Sequence, residues 1–223
     1  MSFANQKIGE IAVAIPGATQ LFREYDLDFC CGGSVELSVA AEKKGVNLAE
    51  LENRLAQLQQ ADVKEESTDW TQASYEDFTA YLVSRFHDGH RAQLPELIEL
   101  AEKVERVHAD RDDRPAGLTA ELQAIYDELR QHMMKEEQIL FPMIRAGNYA
   151  MACMPIRVME MEHDGMGEQL EVLKSITNNV THPEDACSSW RALYSGVAAF
   201  MEELILHTHM ENNILFPRVR ADA

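Results

Sequence analysis

The stretch His132-Met-Met-Lys-Glu136-Glu-Gln-Ile-Leu-Phe-Pro142 occurs a second time, further along the chain, as His207-Thr-His-Met-Glu211-Asn-Asn-Ile-Leu-Phe-Pro217. Both stretches have the pattern His-x3-Glu-x2-Ile-Leu-Phe-Pro, where x is any residue. Because motifs that recur at a fixed spacing define a repeated structural unit, they indicate the architecture before any local prediction is made. We call the two stretches the first copy and the second copy.

Another pair of motifs precedes the two copies. His87-Asp-Gly with Gln93-Leu recurs as His163-Asp-Gly with Gln169-Leu, at nearly the offset that separates the two copies. The chain therefore contains one unit twice: a His-Asp-Gly motif followed, further along, by a His-x3-Glu copy. The residue types that recur are mainly those that bind metal ions.

Four long helices are predicted in the second part of the chain. Their approximate ranges are 74–108, 119–145, 151–178 and 186–218, with short polar loops between them. Short connections between long helices favour an antiparallel up-down four-helix bundle. The Ile-Leu-Phe residues of each copy are expected in its core, and Pro142 and Pro217 are expected to bend or end the final turns.

The N-terminal part of the chain, up to about position 60, has shorter helical patterns, interrupted by Pro16-Gly17 and by Cys30-Cys31-Gly32-Gly33. Ser34 and Asn47 are candidate N-caps of two of these helices. We predict an all-α fold with a small helical domain at 1–60, a polar linker at 61–73 and the bundle at 74–223.

Composition narrows the function. The net charge of −18 argues against nucleic acid and against anionic membrane surfaces as partners. This charge is expected to be mostly solvated helix surface, although an acidic surface also attracts cations. The N-terminus lacks a basic region followed by an apolar run, and no apolar run long enough to span a membrane occurs. The four cysteines do not form a disulfide framework, so we expect a cytoplasmic protein with reduced thiols.

The repeated residues form a candidate metal site. Residues i and i+4 share one face of a helix, so each copy presents one imidazole and one carboxylate together. A single His-x3-Glu pair is usually an exposed polar pair, but its recurrence with a second histidine favours metal binding. Imidazoles and carboxylates with open positions suit iron or manganese, whereas a structural zinc site is closed and richer in thiolate. The predicted ligands are His87, His132, Glu136, His163, His207 and Glu211.

Several other residues receive predictions. Glu128 and Glu162 are candidates to hold the second N–H of a ligating imidazole or to line an ion path. His209 is about 200° around the helix from His207 and is expected to be exposed. For His90, which is one turn from His87, exposure to solvent is favoured over a role in supporting a ligand. Cys153 and Cys187, near helix starts, are expected to serve packing.

The pattern His…His-x3-Glu…His…His-x3-Glu on a four-helix bundle resembles a hemerythrin-like di-iron domain, over about residues 75–220. Tyr25-Asp-Leu-Asp-Phe-Cys-Cys-Gly-Gly33 resembles the N-terminal module of the di-iron "repair of iron centres" family. This resemblance implies two iron ions on the six predicted ligands, bridged by Glu136, Glu211 and an oxo group. It also implies a role in restoring iron–sulfur clusters damaged by nitric oxide or oxidants, with damaged or apo iron–sulfur proteins as partners.

The leading hypothesis is a stress-response protein that donates iron and is not primarily an enzyme. The alternatives are nitric oxide reduction and a sensor that binds nitric oxide or O2; both a monomer and a homodimer remain open. Cys30 and Cys31 have two interpretations: reactive thiols with a pKa lowered by nearby backbone N–H groups, or a tight turn with one buried cysteine.

Overall fold

The computed structural model describes residues 2–60 and 68–223, and within these residues the fold is all-helical, with one isolated bridge between Lys7 and Glu36. Residues 61–67 of the predicted linker lie outside the described residues. The chain divides into two compact units, Met1–Ser74 with Leu206–Ala223, and Tyr75–Ile205. The domain boundaries at 60 and 74 stay a prediction.

The unit that contains the N-terminus has four short helices, α1 (Ile8–Ala14), α2 (Ala18–Glu24), α3 (Leu37–Lys44) and α4 (Leu48–Gln60). Asn47 caps α4 as predicted, because its Oδ1 accepts the N–H groups of Ala49 and Glu50. The prediction for Ser34 was wrong: α3 begins only at Leu37 and has no side-chain cap.

The unit Tyr75–Ile205 contains α5 (Tyr75–Leu82), α6 (Asp88–Val107), α7 (Leu118–Lys135), α8 (Phe141–Arg145), α9 (Tyr149–Ile176) and most of α10 (Ser188–Met210). α11 (Phe216–Ala221) follows near the end of the chain. α6, α7, α9 and α10 share one apolar core, to which each contributes a stripe at helical spacing. The predicted four-helix fold is confirmed. Representative core residues are Leu97, Ala101, Leu122, Leu129, Leu170, Leu173, Trp190 and Val197.

Among the described residues, three π-helical turns interrupt the long helices, at Val83–His87, Glu136–Leu140 and Glu211–Leu215. In each turn, the N–H group that follows it bonds to the carbonyl five residues earlier, as Phe141 does to Glu136. Such turns are rare in proteins, and those that do occur often lie at functional sites. Each begins or ends at a predicted metal ligand, so the widened backbone sets where that ligand projects.

Pro142 and Pro217 are each two residues after the end of a π turn, Glu136–Leu140 and Glu211–Leu215 respectively. They were predicted to bend or end the helices, but α8 and α11 continue past them to Arg145 and Ala221. A proline ring clashes with the carbonyl four residues earlier, and those carbonyls, of Gln138 and Asn213, lie within the π turns. The local widening therefore allows the helix to continue.

No helix in the described part of the chain is both long enough and apolar enough to cross a membrane.

Candidate metal centre

The first copy contributes a buried carboxylate to a cluster of imidazoles. Glu136 is fully buried; its Oε1 lies 3.3 Å from His132 Nε2, and its Oε2 lies 3.4 Å from His87 Nε2. His163 Nε2 lies 3.1 Å from His132 Nε2. The ligand atoms of His132, Glu136 and His163 are all within 4.8 Å of one another. The unit Tyr75–Ile205 therefore brings four of the predicted ligands together.

Local helical structure positions these four side chains. His132 and Glu136 are one turn apart, at the end of α7 and the start of the π turn that follows it. His87 is the last residue of the π turn Val83–His87, and His163 lies in the middle of α9, where it is buried. A turn of helix is about 5.4 Å, so one copy can place both of its ligands on one ion.

Two carboxylates hold the outer nitrogen atoms of the imidazoles. His87 Nδ1 is 2.7 Å from Glu137 Oε1, and His132 Nδ1 is 2.8 Å from Glu162 Oε2. Because an ionised carboxylate can only accept, the proton is assigned to each Nδ1, and each Nε2 keeps its lone pair. Both Nε2 atoms face Glu136.

Both carboxylates are also paired with cations, since Glu137 accepts from Arg91 and Glu162 from Lys135. Partial burial opposes the charge of Glu137, but hydrogen bonds from His87 and Arg91 hold its pKa below the usual value. The hydrogen bond from His132 likewise lowers the pKa of Glu162. Both groups are therefore ionised at neutral pH and can orient the imidazoles.

Inside the cluster, the Glu136 carboxylate and the Nε2 atoms of His87 and His132 are hydrogen-bond acceptors that face one another. Neither oxygen of Glu136 accepts a hydrogen bond from a described residue, although both are buried. A buried anion surrounded by lone pairs is costly unless a cation lies among them. The donor set therefore fits a metal ion.

The second copy repeats this local geometry in the unit that contains the chain ends. His207 Nε2 lies 3.4 Å from Glu211 Oε1, and both side chains are buried. His207 is in the last turn of α10, and Glu211 starts the π turn Glu211–Leu215. The pair matches His132 and Glu136 in distance, burial and position relative to the π turn.

The predictions for His209 and His90 were wrong, because both are buried. The His209 ring packs edge-on against Phe29, with centroids 5.2 Å apart, and its Nδ1 accepts from Asn213 at 2.9 Å. Burial lowers the pKa of His209 to about 4. His90 packs edge-on against Phe200. The helical angles were correct, but other parts of the fold cover the faces that carry these residues.

The Cys30-Cys31 turn also differs from its prediction. The Asp28 carboxylate accepts the N–H groups of Cys31 and Gly32, each at 3.0 Å, so these groups do not stabilise a thiolate. The hydrogen bond with Cys31, together with burial, raises the pKa of the Cys30 thiol well above its usual value. The predicted lowering of the thiol pKa was therefore wrong for Cys30.

Of the remaining residues that received predictions, some have the predicted contacts and others do not. Glu162 contacts a ligand imidazole, whereas Glu128 accepts a hydrogen bond from Gln169. Cys153 donates to the carbonyl of Tyr149 within α9, but Cys187 is exposed, with its sulfur 3.3 Å from His108 Nε2, so the packing prediction for Cys187 was wrong.

The sequence predictions missed Glu137, which holds His87. The only sequence signal was an acidic residue directly after Glu136, and such pairs are common on helix surfaces.

A cavity of about 250 Å³ lies beside α6, lined by Arg85, Phe86, Gly89, His90, Gln93 and Glu203. Arg85 and Glu203 form an ion pair at 2.6 Å among these residues. None of the predicted metal ligands is among the residues that line it.

Comparison with known proteins defines the class of this one. Residues 79–219 match the family described as hemerythrin HHE cation binding domain, and residues 4–59 match ScdA_N, described as a domain of unknown function. The larger part of the chain is thus a cation-binding domain of the hemerythrin type.

Relatives similar over their full length narrow the class. A protein of Haemophilus influenzae named as a probable iron–sulfur cluster repair protein is 65% identical over 219 residues, 98% of each chain. The iron–sulfur cluster repair proteins YtfE of Pectobacterium atrosepticum and of Yersinia pseudotuberculosis are 56% and 53% identical over 218 residues, again 98% of each chain. The chain belongs to the "repair of iron centres" family.

Proposed function

We propose that this protein binds two iron ions and donates iron to iron–sulfur clusters damaged by nitrosative or oxidative stress. The relatives described above carry the name of iron–sulfur cluster repair proteins, and they cover this chain almost completely. The observation that carries the proposal is the buried Glu136 carboxylate, which two imidazoles face with acceptor nitrogens.

Six ligands are proposed for the two ions: His87, His132, Glu136, His163, His207 and Glu211. Glu136 and Glu211 are proposed as the bridging carboxylates, together with an oxo group. The repeated sequence supports a symmetrical division, because each copy supplies one imidazole and one carboxylate at the same spacing. Bound iron would supply a reversible change between the ferrous and ferric states.

The ligand types favour release as well as binding. Imidazole and carboxylate without thiolate give moderate affinity for iron, and a bridging carboxylate can change its mode of coordination. Glu137 and Glu162 keep the imidazoles in the tautomer that presents Nε2. Their partners Arg91 and Lys135 are about a third exposed, so these hydrogen-bonded chains connect the buried cluster to the protein surface.

Iron transfer is the direct test. The chemically reduced, iron-loaded protein is mixed with an apo iron–sulfur protein and sulfide, and recovery of the cluster is followed by absorption. We expect faster recovery than with free ferrous iron at the same concentration, and loss of the advantage in Glu136→Ala. Glu171→Ala, which removes an exposed carboxylate from α9, is the matched control. Equal rates for the protein and free iron would contradict iron donation.

The alternative functions remain outcomes of a parallel measurement. Turnover of nitric oxide to nitrous oxide by the pure protein with an electron donor would indicate a reductase. Reversible binding of nitric oxide or O2 without loss of iron would indicate a sensor. The cavity beside α6 does not favour either alternative, because no proposed ligand is among its lining residues.

A further inference from the structure

A second group of potential metal donors lies outside the histidine and glutamate cluster, in the turn before α3. The carboxylate of Asp28 and the thiols of Cys30 and Cys31 have ligand atoms within 4.8 Å of one another. Cys30 Sγ is 3.4 Å from Asp28 Oδ1 and 3.7 Å from Cys31 Sγ. Two soft donors and one hard donor therefore converge on one point.

The distance between the sulfurs suits a shared metal ion. A tetrahedral ion with metal–sulfur bonds of about 2.3 Å separates its two sulfurs by about 3.8 Å. The two thiols, 3.7 Å apart, already have this spacing. A disulfide is a poor alternative, because Cα atoms of adjacent residues are about 3.8 Å apart, and disulfides usually need about 4.4–6.8 Å.

Hydrogen bonds hold the turn in place, and its donors are at least partly exposed. The Asp28 carboxylate stabilises the turn by accepting hydrogen bonds from the N–H groups of Cys31 and Gly32. Asp28 is exposed and both cysteines are half-buried, so an ion can enter from solvent and can keep one ligand position for an incoming donor.

The same turn is attached to the second copy of the repeat. Asn212 Nδ2 donates to the carbonyl of Cys30 at 3.0 Å, and Asn213 Nδ2 donates to the carbonyl of Phe29 at 2.9 Å. These asparagines directly follow Glu211, which is a proposed iron ligand. The backbone of the turn that carries the thiols is therefore hydrogen-bonded to the π turn that contains Glu211.

We propose that Asp28, Cys30 and Cys31 bind one thiophilic divalent cation, of the class of Fe(II) or Zn(II), at a site separate from the histidine and glutamate ligands. The fourth position is open to water or to a thiolate of an acceptor protein. We propose that this site also binds iron as it leaves the protein, and this role rests on the proposed function. The binding of the cation does not depend on that function.

Zinc is the probe, because X-ray absorption at the zinc edge does not detect the iron of the loaded protein. One equivalent of Zn(II) is added to the iron-loaded full-length protein. We expect two sulfur neighbours at about 2.3 Å, with oxygen completing the shell. A zinc shell of only oxygen and nitrogen in the unaltered protein would overturn the proposal and needs no variant.

Variants locate the site. Cys30→Ser and Cys31→Ser are each expected to remove one sulfur neighbour, and Asp28→Asn to weaken zinc binding about tenfold or more. The control is Cys187→Ser, because Cys187 also has a potential metal donor, His108, within 3.3 Å. If Cys187→Ser removes the sulfur signal while Cys30→Ser keeps it, the proposal is wrong.

The failure of this site and the failure of iron donation give different results. If the unaltered protein gives no zinc–sulfur signal but normal cluster recovery, the proposed thiol site is wrong and iron donation is not contradicted. A normal zinc–sulfur signal without faster cluster recovery supports the site and contradicts the proposed function. Iron content and circular dichroism, measured for each variant, identify those that retain the fold.

Discussion

The two copies of the repeat both bury their proposed ligands, a histidine and a glutamate. They differ at two other positions, one between the histidine and the glutamate and one after the glutamate, which are exposed in the first copy and buried in the second. In the first copy, Met134 and Ile139 are 47% and 49% exposed. The corresponding residues of the second copy, His209 and Ile214, are 4% and 8% exposed. The N-terminal module accounts for this difference, because Phe29 packs on His209 within the same unit.

The two residues after each glutamate differ in the same way. In the first copy, Glu137 holds the Nδ1 atom of His87, and Gln138 is exposed. In the second copy, Asn212 and Asn213 donate to backbone carbonyls of the Cys30-Cys31 turn. The first copy thus uses these positions to orient a proposed metal ligand, and the second copy uses them to hold the Cys30-Cys31 turn. The two copies of a repeated motif can therefore keep the same buried residues while the residues beside them make different contacts.

Removal of either glutamate should have the largest effect. Glu136→Ala and Glu211→Ala each delete one proposed bridging ligand, so we expect iron to fall from two per chain to below one in both variants. Iron and protein are quantified after anaerobic loading and desalting. An exposed-site control, Glu171→Ala, should keep full loading. If only one of the two variants lost iron, the functional equivalence of the copies would be refuted.

The next effect concerns the first copy alone. Glu137→Gln removes the negative charge that faces His87 Nδ1, and outer partners of this kind typically contribute about 10–100-fold to metal affinity. We therefore expect iron to be lost to a chelator at about tenfold lower chelator concentration. Asn212→Ala, at the same position in the second copy, should leave chelator resistance nearly unchanged. The reverse order would mean that Glu137 has no orienting role.

A smaller effect is expected at the attachment of the N-terminal module. Asn213→Ala removes hydrogen bonds to Phe29 and His209 and should destabilise this contact by about 2 kcal/mol. Hydrogen exchange of residues 2–60 should become faster while iron content stays the same. Gln138→Ala, the exposed counterpart, should change neither quantity.

A glycine substitution examines the same contact from its other side. A Cβ atom on Gly33 would lie 2.3 Å from Asn213 Oδ1 and 2.8 Å from the Phe29 carbonyl oxygen, so Gly33→Ala must displace the turn. We expect faster exchange in the same residues, as in Asn213→Ala. Unchanged exchange in Gly33→Ala would show that the close approach of the Asn213 side chain to Gly33 is not required.

A dependence of stability on pH is expected in the second copy. The pKa of His209 is lowered to about 4 from an ordinary 6.5, so the unfolded state binds the proton more strongly. Its contribution therefore makes stability fall as pH decreases from 6.5 towards 4, by up to about 1.4 kcal/mol per pH unit. His209→Gln should reduce this slope in denaturant unfolding. An unchanged slope would mean that His209 is not the titrating group.

The long helices could be predicted because the repeat and the apolar periodicity agree over many residues. The π turns could not, since they depend on how each chain segment accommodates Pro142, Pro217 and the buried ligands at the same time. His87 ends such a turn without a following proline, so the sequence holds no comparable local signal there.

Contacts that residue spacing along one helix does not show explain the wrong predictions. The burial of His209 requires Phe29, which is near the other end of the sequence, and the raised pKa of Cys30 requires that Asp28 and Cys31 approach it in a turn. Glu137 could be recognised only once the π turn that ends at His87 and the first copy were placed side by side. Residue spacing indicates which side chains share a face of one helix, whereas these effects depend on what covers that face.

The central proposal is that the six predicted ligands hold two iron ions. The most direct measurement is metal content per chain of the unaltered protein, combined with its absorption spectrum. We predict two irons per chain and the near-ultraviolet absorption of an oxo-bridged ferric pair. A single iron, zinc in place of iron at the histidine and glutamate ligands, or no bound metal would contradict this claim.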